Sequence, residues 1–241
     1  MNKKFTGLTL VELLVGIVVG LVVLSAAGGA MMSYMRSYSD NQKILNLNQN
    51  MRAVMDIMTR EIRRAGYMTS DISAMQNSPP SPRLFKSNPF FEDDYDVATY
   101  NNNQCIIFSY DKNGDSVASL GDKAGFKLGV DGKDRNVQMR KSATDDKLKC
   151  DWSGFQQLEG ITDNDIVVDK LQFTIQGFEG INIDIPTESC AVDPETKNCL
   201  YVRSVRIEMT ASVKNDSEIK QTLVQTVKIR NDKFVKSKTP A

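Results

Sequence analysis

The sequence predicts an α+β protein: a long N-terminal α-helix followed by an antiparallel β-sheet domain. Three observations predict it. The run from Leu8 to Met32 is apolar and carries one charge, Glu12. Apolar residues then recur at spacings of three and four from Ile44 to Ala65. From Gln104 onward that spacing gives way to β-branched segments that alternate in places. A helix first and strands after it places the sheet against one face of the helix.

The apolar run comes first. About 25 residues suffice for one helix to cross a hydrocarbon core of roughly 30 Å. A charged side chain at the centre of such a helix costs about 2.5–3.5 kcal/mol on insertion scales. Glu12 therefore either has a functional partner or sits near a helix end and reaches headgroup water. Lys3 and Lys4 precede the run, and the run begins before Glu12. Both facts favour a partner. A competing reading is a secretory signal peptide cut near Ser25-Ala26-Ala27, where the residues are small. An acid inside its apolar region is unusual.

The second half of the helix is amphipathic. Ile44, Leu47, Met51, Val54, Met58, Ile62 and Ala65 share one face. Arg52, Ala53, Met55, Arg60 and Glu61 are good helix formers between them. Arg63-Arg64-Ala65 followed by Gly66 reads as a stop with basic residues in the last turn. One helix over Leu8–Ala65 would be about 85 Å long. Gly28-Gly29 is its weak point, since two glycines cost about 2 kcal/mol relative to alanine. They read either as a break or as a site of close helix packing.

Two stretches resemble a known family. The basic leader, Gly7, and Leu8-Thr9-Leu10-Val11-Glu12-Leu13 resemble the type IV prepilin signal, with Glu as the fifth residue after the cut. Leu8 stands where Phe is commoner, and Thr6 precedes the glycine. The stretch Met51–Tyr67, ending Arg63-Arg64-Ala65-Gly66-Tyr67, is similar to the helix end of PilW-type minor pilins. The J-type pseudopilin of type II secretion shares the general pattern but resembles this stretch less.

The resemblance implies cleavage between Gly7 and Leu8 by a prepilin peptidase, and N-methylation of Leu8. It implies a pilin-like fold divided into a leader (1–7), a transmembrane assembly segment (8–32), an amphipathic continuation (33–67) and a β-rich periplasmic domain (68–241). It implies residence in the inner membrane until extraction, and assembly with other minor pilins and the major pilin. It assigns Glu12 to docking, and a role in priming the fibre and occupying its tip. A type II secretion pseudopilin is the nearest alternative. An adhesin or DNA-uptake subunit using residues 68–103 is a further one.

Composition narrows the chemistry. The 241 residues hold 30 basic and 30 acidic side chains, so the net charge is zero. Loss of Lys3 and Lys4 with the leader leaves about −2 before the new amine is counted. Nothing in this balance favours nucleic acid. There is no histidine. That removes Ser-His-Asp and Cys-His catalysis and every His-ligated metal site. No acid/base pair or phosphate-binding glycine loop is present, so we expect no catalytic site, cofactor, metal or small-molecule substrate.

Cys105, Cys150, Cys190 and Cys199 form no C-x-x-C pair. Beyond a membrane anchor they read as periplasmic disulfides. Four cysteines allow three pairings. Cys105–Cys150 and Cys190–Cys199 are expected. The second pair would close the turn-rich octet 191–198 around Pro194, and the first would tie the strand at Gln104 to the segment before Trp152. Trp152 itself reads as core beside that bridge.

Residues 68–103 are expected to be irregular, because Ser78-Pro79-Pro80-Ser81-Pro82, Asn88-Pro89 and Asn101-Asn102-Asn103 are strong breakers. Strands are expected over Gln104–Tyr110, Gly125–Val130, Asn136–Arg140, Ile166–Gln176, Ile181–Ile185, Tyr201–Val213 and Ile219–Arg230. Asn215-Asp216-Ser217 would link the last two as a hairpin. The tail from Lys233 would fray. Asp111-Lys112-Asn113-Gly114-Asp115 reads as a turn, or as the start of a calcium loop whose glycine comes too early. Arg60, Arg63 and Arg64 with Lys86, or Arg140 with Lys141, read as solvated or subunit-contact charges in preference to phosphate contacts.

Overall fold

The computed structural model describes residues 9–69, 88–91, 95–131, 134–140, 150, 158–177, 180–182, 184, 190 and 197–235. The chain divides into two units, Met1–Asn46 and Leu47–Ala241.

The first described element is α1, Leu10–Arg63, a helix of 54 residues. In the first unit its apolar side chains, from Leu10 through Leu24 and on to Met35, are largely exposed. This stretch is long and apolar enough to cross a membrane. α1 passes through Gly28 and Gly29 without a break. A side chain built at either glycine would meet nothing within 4 Å. Neither the break nor close packing within the chain is therefore observed.

In the second unit the amphipathic face does what its spacing predicts. Leu47, Met51, Val54, Met58, Ile62 and Ala65 are buried, with Met55 added to the stripe. The rest of this unit forms three antiparallel sheets. The first is β1 (Ala98–Tyr100), β2 (Cys105–Ser109), β3 (Lys123–Asp131), β4 (Asp134–Arg140) and β5 (Leu158–Gly160), paired in that order. The second runs β10 (Asp216–Lys228), β9 (Ser204–Val213), β6 (Ile166–Gln176). The third runs β11 (Lys233–Val235), β8 (Cys199–Tyr201), β7 (Ile181–Asn182).

The main core is one cluster. Helix residues meet Ile106, Phe108, Phe126 and Val137 of the first sheet. They also meet Leu171, Phe173, Ile207 and Met209 of the second. Full burial of side chains of this size contributes about 1.5–3 kcal/mol each. The outward face of the second sheet is polar, with Glu208 bonded to Lys170 and Arg206. That alternation fits an antiparallel sheet buried on one side.

The α+β expectation holds, but several details differ. The tail does not fray at Lys233. Lys233–Val235 pairs with β8, and Lys233 Nζ lies 2.7 Å from the Asp96 carboxylate. These partners are distant in sequence, so no local pattern announces them. Within 68–103, Pro89–Phe91 form a 3₁₀ turn and Ala98–Tyr100 form β1. The strand expected over Tyr201–Val213 is interrupted: β8 ends at Tyr201, Val202–Arg203 belong to no strand, and β9 starts at Ser204. Gly177, at φ +94°, sits so close that a Cβ would come within 2.1 Å of the Val202 carbonyl oxygen. The hairpin link is shorter than expected. Asn215 turns at φ +68°, and Asp216 already pairs with Val213. Among the described residues of Ile181–Ile185, Ile181–Asn182 is strand and Asp184 lies in a bend.

Candidate assembly site

Gly7 and Leu8 lie outside the described residues. The first described residue is Thr9, and it caps α1. Its hydroxyl oxygen accepts the Glu12 backbone N–H at 3.3 Å and lies 3.5 Å from Glu12 Oε2. Its carbonyl accepts the Leu13 N–H at 3.2 Å. This is a capping arrangement, in which a threonine serves the first turn and an acid three residues later reaches back. The Thr9-x-x-Glu12 spacing is its sequence signal, and our reading of the sequence missed it. The carboxylate also sits in the first turn, where the helix dipole favours negative charge.

The cap does not saturate Glu12. Among the described residues its side chain has one hydrogen-bond partner, Thr9, and it is exposed on an apolar helix. In lipid such a carboxylate is costly. The same first turn exposes Leu10, Val11, Leu13 and Leu14 around it. What this helix end presents is a single acid ringed by aliphatic side chains.

The other end of α1 is built around Arg63-Arg64-Ala65-Gly66-Tyr67. Gly66 has φ +71°, the left-handed conformation that ends a helix. Its N–H donates to the Ser109 carbonyl at 2.8 Å, and its carbonyl accepts from Asn88 Nδ2 at 2.9 Å. The Arg63 carbonyl accepts the Arg230 N–H, and the Ala65 carbonyl accepts Asn231 Nδ2. The carbonyls left over at the helix end are thus taken up by the chain beyond β10.

Polar groups fix this end laterally. The Tyr110 hydroxyl donates to Glu61 Oε2 at 2.7 Å, and Arg64 lies over the Tyr110 ring at 4.5 Å. Burial, and then the bond to Glu61, push the Tyr110 phenol well above its usual value. Lys112 Nζ donates to the Gly121 and Lys123 carbonyls at 3.0 and 2.9 Å. Burial pushes its amine down to about 8, against the pull of Asp122 and Glu61.

Asp111 serves the backbone. Its carboxylate accepts N–H groups from Thr69, Gly114 and Ser116 at 3.0, 2.7 and 3.1 Å. Burial alone would raise its pKa; the backbone donors outweigh burial and hold it below the usual carboxylate range. Asn113 Oδ1 accepts the Asp115 N–H, and Asp115 Oδ1 accepts the Val117 N–H. These carboxylates and this amide organise a turn. Among the described residues no cluster of three metal-ligating side chains exists.

The other candidates are spread apart. Arg60 pairs with Asp56 on the exposed helix face. Arg140 is buried in β4, and Arg63 is exposed. Lys86, Lys141 and Trp152 lie outside the described residues. Cys105 is joined to Cys150 and Cys190 to Cys199, with Cα separations of 6.4 and 6.0 Å. Cys105 packs with Ile107 and Cys150, with Tyr100 against them, in a small cluster apart from the main core.

A membrane-length helix with one acid in its first turn, whose later turns pack on antiparallel sheets, defines a class. It is that of type IV prepilin-like minor pilins. The chain belongs to the family of prepilin peptidase-dependent protein B, whose model matches residues 40–229. The model of the prokaryotic N-terminal methylation motif matches residues 2–28. No curated protein and no solved structure matches the chain.

Proposed function

We propose that this protein is a minor type IV pilin that primes fibre assembly with other minor pilins and sits in or at the tip of the fibre. The observation that carries the proposal is Glu12, an exposed carboxylate on an apolar helix with Thr9 as its one hydrogen-bond partner among the described residues. Cleavage after Gly7 creates a new amine at Leu8, which is then methylated. In an assembled bundle the Glu12 carboxylate pairs with the amine of a neighbouring subunit. Opposite unit charges about 4 Å apart attract by about 4 kcal/mol at an effective dielectric near 20. The pairing supplies the partner that Glu12 lacks alone in lipid. Its role is structural, not enzymatic.

The protein waits in the inner membrane as a single-pass anchor, with residues beyond the span in the periplasm. The major pilin is its downstream partner. Substitution of Glu12 tests the mechanism. Glu12→Ala should insert at least as well as wild type, because it removes a charge from the apolar run. It should fail to co-purify with other pilins. Wild-type assembly by a Glu12→Ala chain with methylated Leu8 would refute the docking mechanism.

A further inference from the structure

Asp96 gathers three elements. It precedes β1, and its Oδ1 accepts a hydrogen bond from Nη1 of Arg203, which lies between β8 and β9. The same oxygen accepts the Val97 N–H at 2.8 Å. Its Oδ2 accepts from Lys233 Nζ, at the start of β11, at 2.7 Å. The Arg203 guanidinium also lies over the Phe91 ring. Two cations therefore share one carboxylate, and the cluster carries a net charge of +1.

Arg203 is only 5% exposed. A charge so deeply buried is costly unless it is paired and its donors are filled. Two of its donors are not. Nε and Nη2 are both shut off from solvent and have no hydrogen-bond partner among the described residues. These two nitrogens form the side-on edge of the guanidinium. Their N–H bonds point the same way, which is the geometry that grips two oxygens of one carboxylate, phosphate or sulfate.

We propose that this edge of Arg203 binds a small free oxyanion of the carboxylate, phosphate or sulfate kind. Two of its oxygens accept from Nε and Nη2 in parallel, and its charge balances the cluster. Asp96 keeps Nη1, and Phe91 keeps the guanidinium face.

Enclosure selects a free ion. An acidic side chain from another subunit would have to bring its backbone in with it. The ion enters by local opening, and β11 is the short element beside the site, paired with β8 over three residues. Once bound, the ion ties together the turn at Pro89–Phe91, Val202–Arg203 and the start of β11.

Equilibrium dialysis of the full-length chain in detergent against radiolabelled sulfate, at constant ionic strength in chloride, tests this. One saturable site per chain is expected, and inorganic phosphate should compete for it. Arg203→Lys keeps the positive charge but loses the side-on pair of donors. Affinity should fall by about ten- to a hundredfold, the worth of one charge-assisted hydrogen bond. Asp96→Asn removes the competing acid, so affinity should rise. No saturable binding would leave the edge to water and overturn the inference. So would a site that Arg203→Lys leaves at wild-type affinity, or one that Asp96→Asn does not strengthen. Loss of co-purifying pilins from Arg203→Lys, with no sulfate site in the wild type, would give the edge to a partner's acidic side chain instead. If either variant loses the wild-type circular dichroism, selenate bound in crystals of the wild-type chain decides. An anomalous peak within hydrogen-bonding reach of Arg203 Nε and Nη2 upholds the proposal, and a peak elsewhere or none overturns it.

Discussion

The α-carbon of Gly66 faces the ring of Phe91, so closely that a Cβ at Gly66 would lie 2.2 Å from Phe91 Cε1. Phe91 is itself mostly buried and lies under the Arg203 guanidinium, 5.2 Å from its ring centre. The last turn of α1 is thereby locked to the 3₁₀ turn at Pro89–Phe91.

Gly66→Ala should therefore destabilise the fold twice over. The left-handed backbone at φ +71° costs an alanine about 1 kcal/mol. The clash with Phe91 adds about 1–3 kcal/mol of overpacking. Denaturant unfolding of the single variants and of Gly66→Ala with Phe91→Ala separates the terms. The double variant should recover the clash but not the backbone cost. Strict additivity of the two single changes would remove the clash from this account.

Asp111 links stability to acid. Its folded pKa lies below the ordinary value of 3.8, so its stabilisation is fully present above that pH. It is lost as pH falls through the folded value. Asp111→Asn keeps the shape but not the charge, and charge-assisted bonds contribute about 1.5–3 kcal/mol. At pH 7 the variant should be less stable by about that amount. The two unfolding free energies should converge below pH 3.8. A constant difference at all pH values would show that the charge is not what the three backbone N–H groups need.

The two disulfides hold parts of the chain that the main core does not. Each is expected to contribute roughly 2–4 kcal/mol, chiefly by restricting the unfolded chain. Reduction should lower the melting temperature, and the Cys105–Cys150 bridge should matter more than Cys190–Cys199. Its loop spans 45 residues against 9. Paired Cys→Ser variants, melted side by side, rank them. Equal losses would argue against loop entropy as the cause.

What could be read in advance follows from how local the signals are. The buried stripe from Leu47 to Ala65 was legible because helix spacing alone fixes which side chains share a face. β6 was placed to the residue because its β-branched run is bounded on both sides. The split at Val202–Arg203 was hidden, since Gly177, just past the end of β6, meets Val202 only in the fold. β11 was hidden too, because three residues gain their structure only from Tyr201, Leu200 and Cys199. At the site, Glu12 stood out by its cost in lipid. Its cap on Thr9 was readable from spacing and overlooked. The clasp of Gly66 by Phe91, Asn88 and Ser109 was not readable, because those partners are brought together only by the fold.

The central claim is that this chain is processed and assembled as a pilin. The mass of the N-terminal peptide of protein isolated from membranes tests it most directly. The account predicts a chain beginning at Leu8 with one added methyl group. A mature chain beginning near Gly28, after a cut at Ser25-Ala26-Ala27, would contradict it, since Glu12 and the whole apolar helix end would then be absent from the mature protein.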